Sequence, residues 1–374
     1  MRILIAPDKF KGSLTGRQAG EAIHRGFIKI FPNAHYQILP LADGGEGFLD
    51  AFLMRDGTSN KQSIHKADVQ DALGREISAS FLIQNNTAII ESSQANGLFR
   101  IGEKQRNLLL ANSYGVGELI RSAISLGARK IIIGIGGSAT NDAGLGLAAA
   151  IGYRFLDSYG KPIDPIPANI PKMCSIDSSE KIELPPIVVA CDVNNPLLGP
   201  RGATYTYGPQ KGLRSEQKEE MESSLARFSE LVSMHLNNDF AAISGAGAAG
   251  GLGFGLMAFC NATLESGFDC IAESLDVETQ ISAADLVITA EGSLDSQTLE
   301  GKTPYGVSLL ARKHNIPIYA IAGCIDDEHL LRPHFDGIAS IMNAPMTLAH
   351  AMDHASELLE FASTRLAHTL KRYL

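Results

Sequence analysis

The sequence predicts an α/β protein with parallel sheets and two domains, and three observations carry that prediction. Short aliphatic runs, among them Arg2–Pro7, Ile131–Ile133, Ile187–Ala190 and Leu286–Ala290, each stop abruptly on glycine or within two residues of an acid. Stretches with helical periodicity separate them, and the β-α alternation is clearest at the two ends of the chain. The 374 residues are enough for one or two domains, each with an ample core.

Each element has its own reason. Arg2–Pro7 reads as a buried strand ending on Asp8, and Ser13 or Thr15 can cap a helix that runs to about Phe31, where Pro32-Asn33 stops it. Tyr36–Ala42 reads as a second strand ending on Asp43, with a helix over Phe48–Met54. Near Val69 the texture changes to hairpins: Ala72–Glu76 is an entry, and Ile77–Ile83 and Thr87–Glu91 pair across Gln84-Asn85-Asn86. Asn107–Leu126 is helical, Tyr153–Pro171 irregular, Ile187–Ala190 a short buried strand, and Glu216–Leu236 a charged amphipathic helix. After Ser282 the β-α rhythm returns in Leu286–Ala290, Pro317–Ala322 and Gly337–Ile341, before a helical segment over Ala344–Leu374. Two opening strands do not make a stable sheet alone and need partners from later in the chain. The expectation is therefore a Rossmann-like, doubly wound parallel-sheet domain from residues 1–74 and 281–374. A mixed α/β domain over residues 75–280, carrying the glycine-rich motifs, is inserted into it.

Composition narrows the function classes. A net charge of −9, no tryptophan and no basic stripe argue against nucleic acid as a partner. Five cysteines with no C-x-x-C pair argue against a disulfide framework or a zinc knuckle and suit a cytoplasmic protein. The opening MRILIAPDKFKG meets Asp8 and Lys9 too early for a signal peptide, and the weakly polar tract Gly245–Cys260 is too short to span a bilayer, so no membrane is expected.

The chain turns on Lys130–Gly152, which reads as strand, glycine turn and helix. Gly134, Gly136 and Gly137 follow the strand; Ser138, Thr140, Asn141 and Asp142 supply helix-start chemistry; Ala143–Ile151 reads as an apolar helix. Bare glycine amides and four unpaired helix donors favour an anion, most often phosphate. The plain alternative is a tight turn with a capped helix and no ligand.

Four expected strands end on an acid: Asp8, Asp43, Asp192 and Glu291. Ligands of open parallel sheets sit beyond these ends, where carboxylates can bind Mg²⁺ or take a hydroxyl proton, although any one of them can equally cap a helix. Lys9, Lys11, Arg201, Lys211 and Lys302 lie in the same loops and can neutralise phosphate or hold a substrate carboxylate. Three other signals are weak. Gly245–Gly250 fits G-x-G-x-x-G without a strong strand before it, Gly301-Lys302-Thr303 matches only the tail of a P-loop, and His350 and His354 lack the glutamate of a zinc motif.

Together these blocks resemble the bacterial glycerate kinase family, type I. The resemblance runs nearly end to end through APDKFKGSLT at 6–15, PLADGGEG at 40–47, GIGGSATNDAGLG at 134–146, ACDVNNPLLGPRGA at 190–203, YGPQKG at 207–212, GAGAAGGLG at 245–253 and TAEGSLDSQTLEGKTP at 289–304. Ala143 and Ala290 stand where glycine is expected. The resemblance implies a two-domain α/β enzyme of small-acid catabolism, with an interdomain cleft, that phosphorylates D-glycerate with ATP, most simply at the 2-hydroxyl. Phosphorylation at the 3-hydroxyl, an NAD-dependent oxidoreductase and a non-catalytic small-acid sensor stand as alternatives, and the oligomeric state is left open. Joined to the residue reading, it assigns Gly136, Gly137, Ser138 and Asn141 to the nucleotide phosphates and Asp192 to the base. Lys9, Lys11 and Arg201 go to the glycerate carboxylate or the moving phosphoryl group, Asp43 and Glu291 to Mg²⁺, and Asp8, Asp295 and Gln297 to the substrate cleft. Asp43 and Asp192 are interchangeable at this level.

Overall fold

The computed structural model describes residues 1–42, 44–45, 47–53 and 63–373. Asp43 therefore lies outside the described residues. The chain is α/β and divides into two compact units. The first comprises Met1–Asp43, Asp50–Thr58 and Ser266–Leu374, and the second Gly44–Leu49 and Ser59–Glu265.

The first unit holds a five-stranded sheet in the order Gly337–Ser340, Ile318–Ile325, Leu286–Leu294, Arg2–Pro7, His35–Ile38, every neighbouring pair parallel. Arg2–Pro7 is buried after its first residue because strands flank it on both sides and a helix covers it. That helix, Gly16–Ile28, starts on a reciprocal cap in which the Thr15 hydroxyl accepts from Gln18 N and the Gln18 side chain accepts from Thr15 N. Its Ala19, Ala22, Ile23 and Phe27 meet Ile3, Ile5, Leu286 and Ile288 in one core, closed by Leu358 and Leu359 of the Ala355–Leu370 helix.

Three boundaries differ from expectation. The second strand is only His35–Ile38, although Leu39 N and Leu41 N still bond to Ile5 O and Pro7 O beyond it. The Leu286–Leu294 strand runs on past Ala290, so Glu291 lies inside it, opposite Ala322, rather than at its end. The helices Gly267–Leu275 and Val277–Ser282 belong to the first unit, which moves the crossing from 281 to 266.

The second unit holds a six-stranded mixed sheet in the order Thr263–Glu265, Ile187–Ala190, Lys130–Gly134, Thr87–Glu91, Glu76–Gln84, Ser63–Gln70. The first four strands are parallel, and the last two join antiparallel. Gln84 pairs with Thr87 across Asn85-Asn86, both left-handed at φ +49° and +62°, which is the two-residue hairpin turn that matches strand twist. Ser63–Gln70 is paired with Glu76–Gln84, so the second unit begins before residue 75. The helix expected from Asn107 begins at Tyr114. Asn107 Oδ1 and Asn112 Oδ1 accept from Leu109 N and Tyr114 N, and such side-chain turns compete with the helix they precede. Ile131, Ile133 and Val189 meet Val116, Ile120, Phe228 and Phe254 in the core of this unit.

Candidate functional site

Two neighbouring strands of the second unit end side by side, Gly134 opposite Ala190. The turn leaving Gly134 is packed from behind by glycine. Gly136 N donates to Gly44 O at 3.1 Å, and a Cβ on Gly136 would lie 2.4 Å from Gly45 Cα. Gly137 differs: it is exposed, its φ is +75°, and a Cβ there would meet nothing closer than Ser93 Cβ at 3.6 Å. Glycine at 137 thus serves the backbone conformation and leaves open space in front. Among the described residues, the N–H groups of Gly137 and Ser138 meet no acceptor.

The helix after this turn is shorter than expected, Leu145–Ala150, and its start is not a vacant anion site. The fully buried Asp142 carboxylate accepts from Gly144 N, Gly146 N, Ser113 N and Ser113 Oγ, at 3.3, 3.0, 2.7 and 2.8 Å. Leu147 N donates to Ser113 Oγ. The donors that a phosphate would need are therefore spent on the protein's own carboxylate, so the expectation of four unpaired helix donors is corrected. Burial pushes the Asp142 carboxyl above its ordinary range, against the pull of those four hydrogen bonds.

Below the turn lies Lys211, 3% exposed. Its Nζ donates to Ser138 Oγ and Thr140 O, each at 2.8 Å, and Ser138 Oγ donates onward to Ala249 O at 2.9 Å. Burial brings the ammonium down to about 7, with the Asp142 charge acting in the opposite direction. Asn141 is fully buried; its Nδ2 donates to Thr204 Oγ1, as Asn96 Nδ2 does to Thr140 Oγ1. Among the described residues, the buried oxygens Ser92 Oγ, Asn96 Oδ1 and Asn141 Oδ1 have no hydrogen-bond partner.

The second glycine cluster is explained by close packing against this loop. Ala249, Gly250 and Gly251 are three consecutive left-handed residues opening the Ala248–Cys260 helix, at φ +55°, +75° and +81°. A Cβ on Gly250 would stand 1.9 Å from Thr140 O, one on Gly251 2.8 Å from Ala143 Cα, and one on Gly255 2.6 Å from Gly144 Cα. Two backbones touch along their length, and G-x-G-x-x-G here is a packing pattern. Ala143 itself is left-handed at φ +50°, which gives the expectation of glycine there a physical basis.

The loop after Ile187–Ala190 carries Asp192, half-buried, and Arg201, exposed. Asn195 braces it: Nδ2 donates to Arg201 O, Oδ1 accepts from Tyr207 OH, and its carbonyl accepts from Gly247 N. Burial, with the Asp192 charge adding to it, pushes the neighbouring Cys191 thiol up to about 11, so Cys191 stays protonated and is no nucleophile.

In the first unit the same side-by-side arrangement recurs where Pro7 pairs with Ala290. Asp8, 2% exposed, accepts from Lys9 N at 2.6 Å and from Thr303 Oγ1 at 2.7 Å, which ties it to the first residue of the Thr303–Lys313 helix. The turn with Lys9 and the exposed Lys11 folds against Gly292, whose Cβ would lie 3.3 Å from Lys11 N. Glu291 Oε1 is 3.9 Å from Lys302 Nζ. Asp295 Oδ1 accepts from Gln297 N and Asp295 N donates to Thr298 Oγ1, so this pair caps the Ser296–Glu300 turn.

Gly136, Gly137, Ser138, Asn141, Asp192 and Arg201 thus follow the strand ends of the second unit, Asp8, Lys9, Lys11, Asp295 and Gln297 follow those of the first, and Glu291 lies within the Leu286–Leu294 strand. Sequence reasoning missed Glu91, whose Oε2 accepts from Leu49 N and Oε1 from Ser93 Oγ. Its signal was the same acid-at-strand-end rule, hidden because Thr87–Glu91 reads as a hairpin arm. Among the described residues, no group of three or more His, Cys, Asp or Glu is arranged to hold a metal ion, and no helix is long and apolar enough to cross a membrane.

A family model described as the glycerate kinase family matches residues 3–371. A protein of Bacillus subtilis (strain 168) named glycerate kinase is 41% identical, covering 99% of this chain and 98% of its own. One of Escherichia coli (strain K12) named glycerate 2-kinase is 39% identical, with 99% and 98% covered. A Salmonella typhimurium LT2 crystal structure described as glycerate kinase 2 superposes with a TM-score of 0.85 at 40% identity, covering 100% of this chain and 99% of that one.

Proposed function

Because the chain belongs to the glycerate kinase family, a family of phosphotransferases, we propose that it transfers the γ-phosphoryl group of ATP to the 2-hydroxyl of D-glycerate, giving 2-phospho-D-glycerate. The observation that carries this reading is the Gly136–Ser138 turn, with an exposed left-handed glycine in front and a buried lysine behind. Glycine amides there can approach a polyphosphate as no side-chain-bearing residue could. The regiochemistry follows the name of the Escherichia coli relative.

The residue roles follow from charge and reach. Gly137 and Ser138 offer amide donors to the nucleotide phosphates. Asn141 is fully buried, so its part is to hold the loop through Thr204 rather than to touch the nucleotide from the surface. Asp192 takes the hydroxyl proton as the acceptor oxygen bonds to phosphorus and the bond to the ADP oxygen breaks. Lys9, Lys11 and Arg201 neutralise the carboxylate of glycerate and the moving phosphoryl group. Mg²⁺ needs few protein ligands when phosphates supply oxygens, and Glu291 with Asp43 can hold its water shell. When bound, it would neutralise charge on the phosphates.

The oxidoreductase alternative loses its motif, since Gly245–Gly250 is consumed in packing. The cytoplasm is the compartment that suits free thiols at all five cysteines. Phosphorus NMR of the product from Mg·ATP and D-glycerate tests the reaction: a 2-phosphate resonance is expected, a 3-phosphate corrects the regiochemistry, and no turnover sinks the proposal. Asp192→Asn should lower turnover by about 10²–10⁴-fold with nucleotide binding retained; near-normal turnover would remove Asp192 from its role.

A further inference from the structure

Lys211 poses a physical question that the proposed reaction does not by itself answer. An ammonium 3% exposed is costly to bury unless an anion compensates it. Among the described residues, no carboxylate lies within ion-pair distance of its Nζ. Asp142 is the charged group that acts on it, and that carboxylate is already engaged by Ser113, Gly144 and Gly146. Two of the three ammonium donors are accounted for, by Ser138 Oγ and Thr140 O. Both acceptors belong to the loop whose exposed edge is Gly137.

We propose that Lys211 is a positioning residue for the nucleotide: it holds Ser138 and Thr140 from beneath the glycine turn, and the arriving phosphate is the anion its buried charge lacks. The inference rests on the reading of Gly136–Ser138 as the phosphate turn. It explains why a lysine, and not an apolar residue of the same length, occupies a site where charge costs stability. Ser138 then has two jobs, an amide toward the ligand and a hydroxyl that relays the ammonium to Ala249 O.

The test is steady-state kinetics on the full chain with Mg·ATP and D-glycerate, together with the rise in melting temperature produced by Mg·ADP. Lys211→Met should raise KM for Mg·ATP at least about tenfold and abolish most of the Mg·ADP-induced rise, with KM for glycerate changed less than about twofold. A folded Lys211→Met with normal KM for Mg·ATP overturns the inference. Should that variant fail to fold, Ser138→Ala decides, since it removes the relay hydroxyl without placing a new group. A rise of about three- to tenfold in KM for Mg·ATP is expected, and no change refutes the role. Gly137→Ala separates the two levels. If it weakens Mg·ATP while Lys211→Met does not, only the role of Lys211 falls. If both leave Mg·ATP alone and weaken glycerate instead, the phosphate reading of the turn falls with it.

Discussion

Gly250→Ala probes the contact on which the phosphate turn depends. The new methyl would stand 1.9 Å from Thr140 O and 2.8 Å from Asn141 Cα, and the residue would have to hold φ +75°. The left-handed backbone alone costs an L-residue about 1–2 kcal/mol. Forcing an extra methyl into a filled interior costs about 1–3 kcal/mol more. Gly160 supplies the control, because its φ is +74° and a Cβ there meets nothing within 4 Å. Gly160→Ala should therefore cost only the backbone share, and the difference between the variants isolates the clash at about 1–3 kcal/mol. Urea unfolding followed by circular dichroism reads both. Because Thr140 O also receives the Lys211 ammonium, Gly250→Ala should raise KM for Mg·ATP as well. If the two variants agree within about 0.5 kcal/mol, the two backbones are not in the contact described and the packing explanation of the second glycine cluster is wrong.

Three further outcomes are expected. Ala249→Gly relieves a non-glycine residue at φ +55° and should stabilise by about 0.5–1 kcal/mol in the same unfolding assay, the strain relief exceeding the added freedom of the unfolded chain. Thr303→Val removes one hydroxyl donor from the buried Asp8 carboxylate and should cost about 1.5–3 kcal/mol, with far-UV signal retained before the transition. Lys211 titrates near 7 when folded and near 10.5 when unfolded, so above 7 the unfolded chain holds a proton that the folded chain has released. Stability due to this group must then rise with pH above 7. Lys211→Met lacks that rise, so its stability relative to the parent should fall between pH 7 and about pH 9.5, as measured by urea midpoints.

Much of the fold was legible because its determinants are local. Thr15 with Gln18, the Asn85-Asn86 turn and the unbroken Ile131–Ile133 run each declare an element within a few residues. The misses came where an element or a side chain depends on a partner outside its own stretch. Ser63–Gln70 is polar at most positions and is a strand only because Glu76–Gln84 pairs with it. Glu291 was placed at a strand end because nothing near it announces that Ala322 and Cys324 extend the ladder. At the site, the glycines of 134–137 were found, but Asp142 was read as helix-start chemistry beside donors left open for a ligand. Its true task, closing those donors, needed Ser113 from 29 residues earlier. Lys211 was one lysine among several in loops, and only its burial against Ser138 and Thr140 distinguishes it.

The ribosome must deliver the five-stranded sheet of the first unit in instalments. Arg2–Pro7 and His35–Ile38 emerge early, but Leu286–Leu294, which pairs with the other side of Arg2–Pro7, follows His35–Ile38 by roughly 250 residues. At about 5–20 residues per second, that is roughly 12–50 seconds in which a two-stranded fragment has no third strand to steady it. Residues 59–265 are complete before then, so the middle of the polypeptide is in a position to fold while its beginning waits for its end. Nascent chains stalled near residue 280 should accordingly protect Lys130–Gly134 from protease while leaving Arg2–Pro7 open to cleavage.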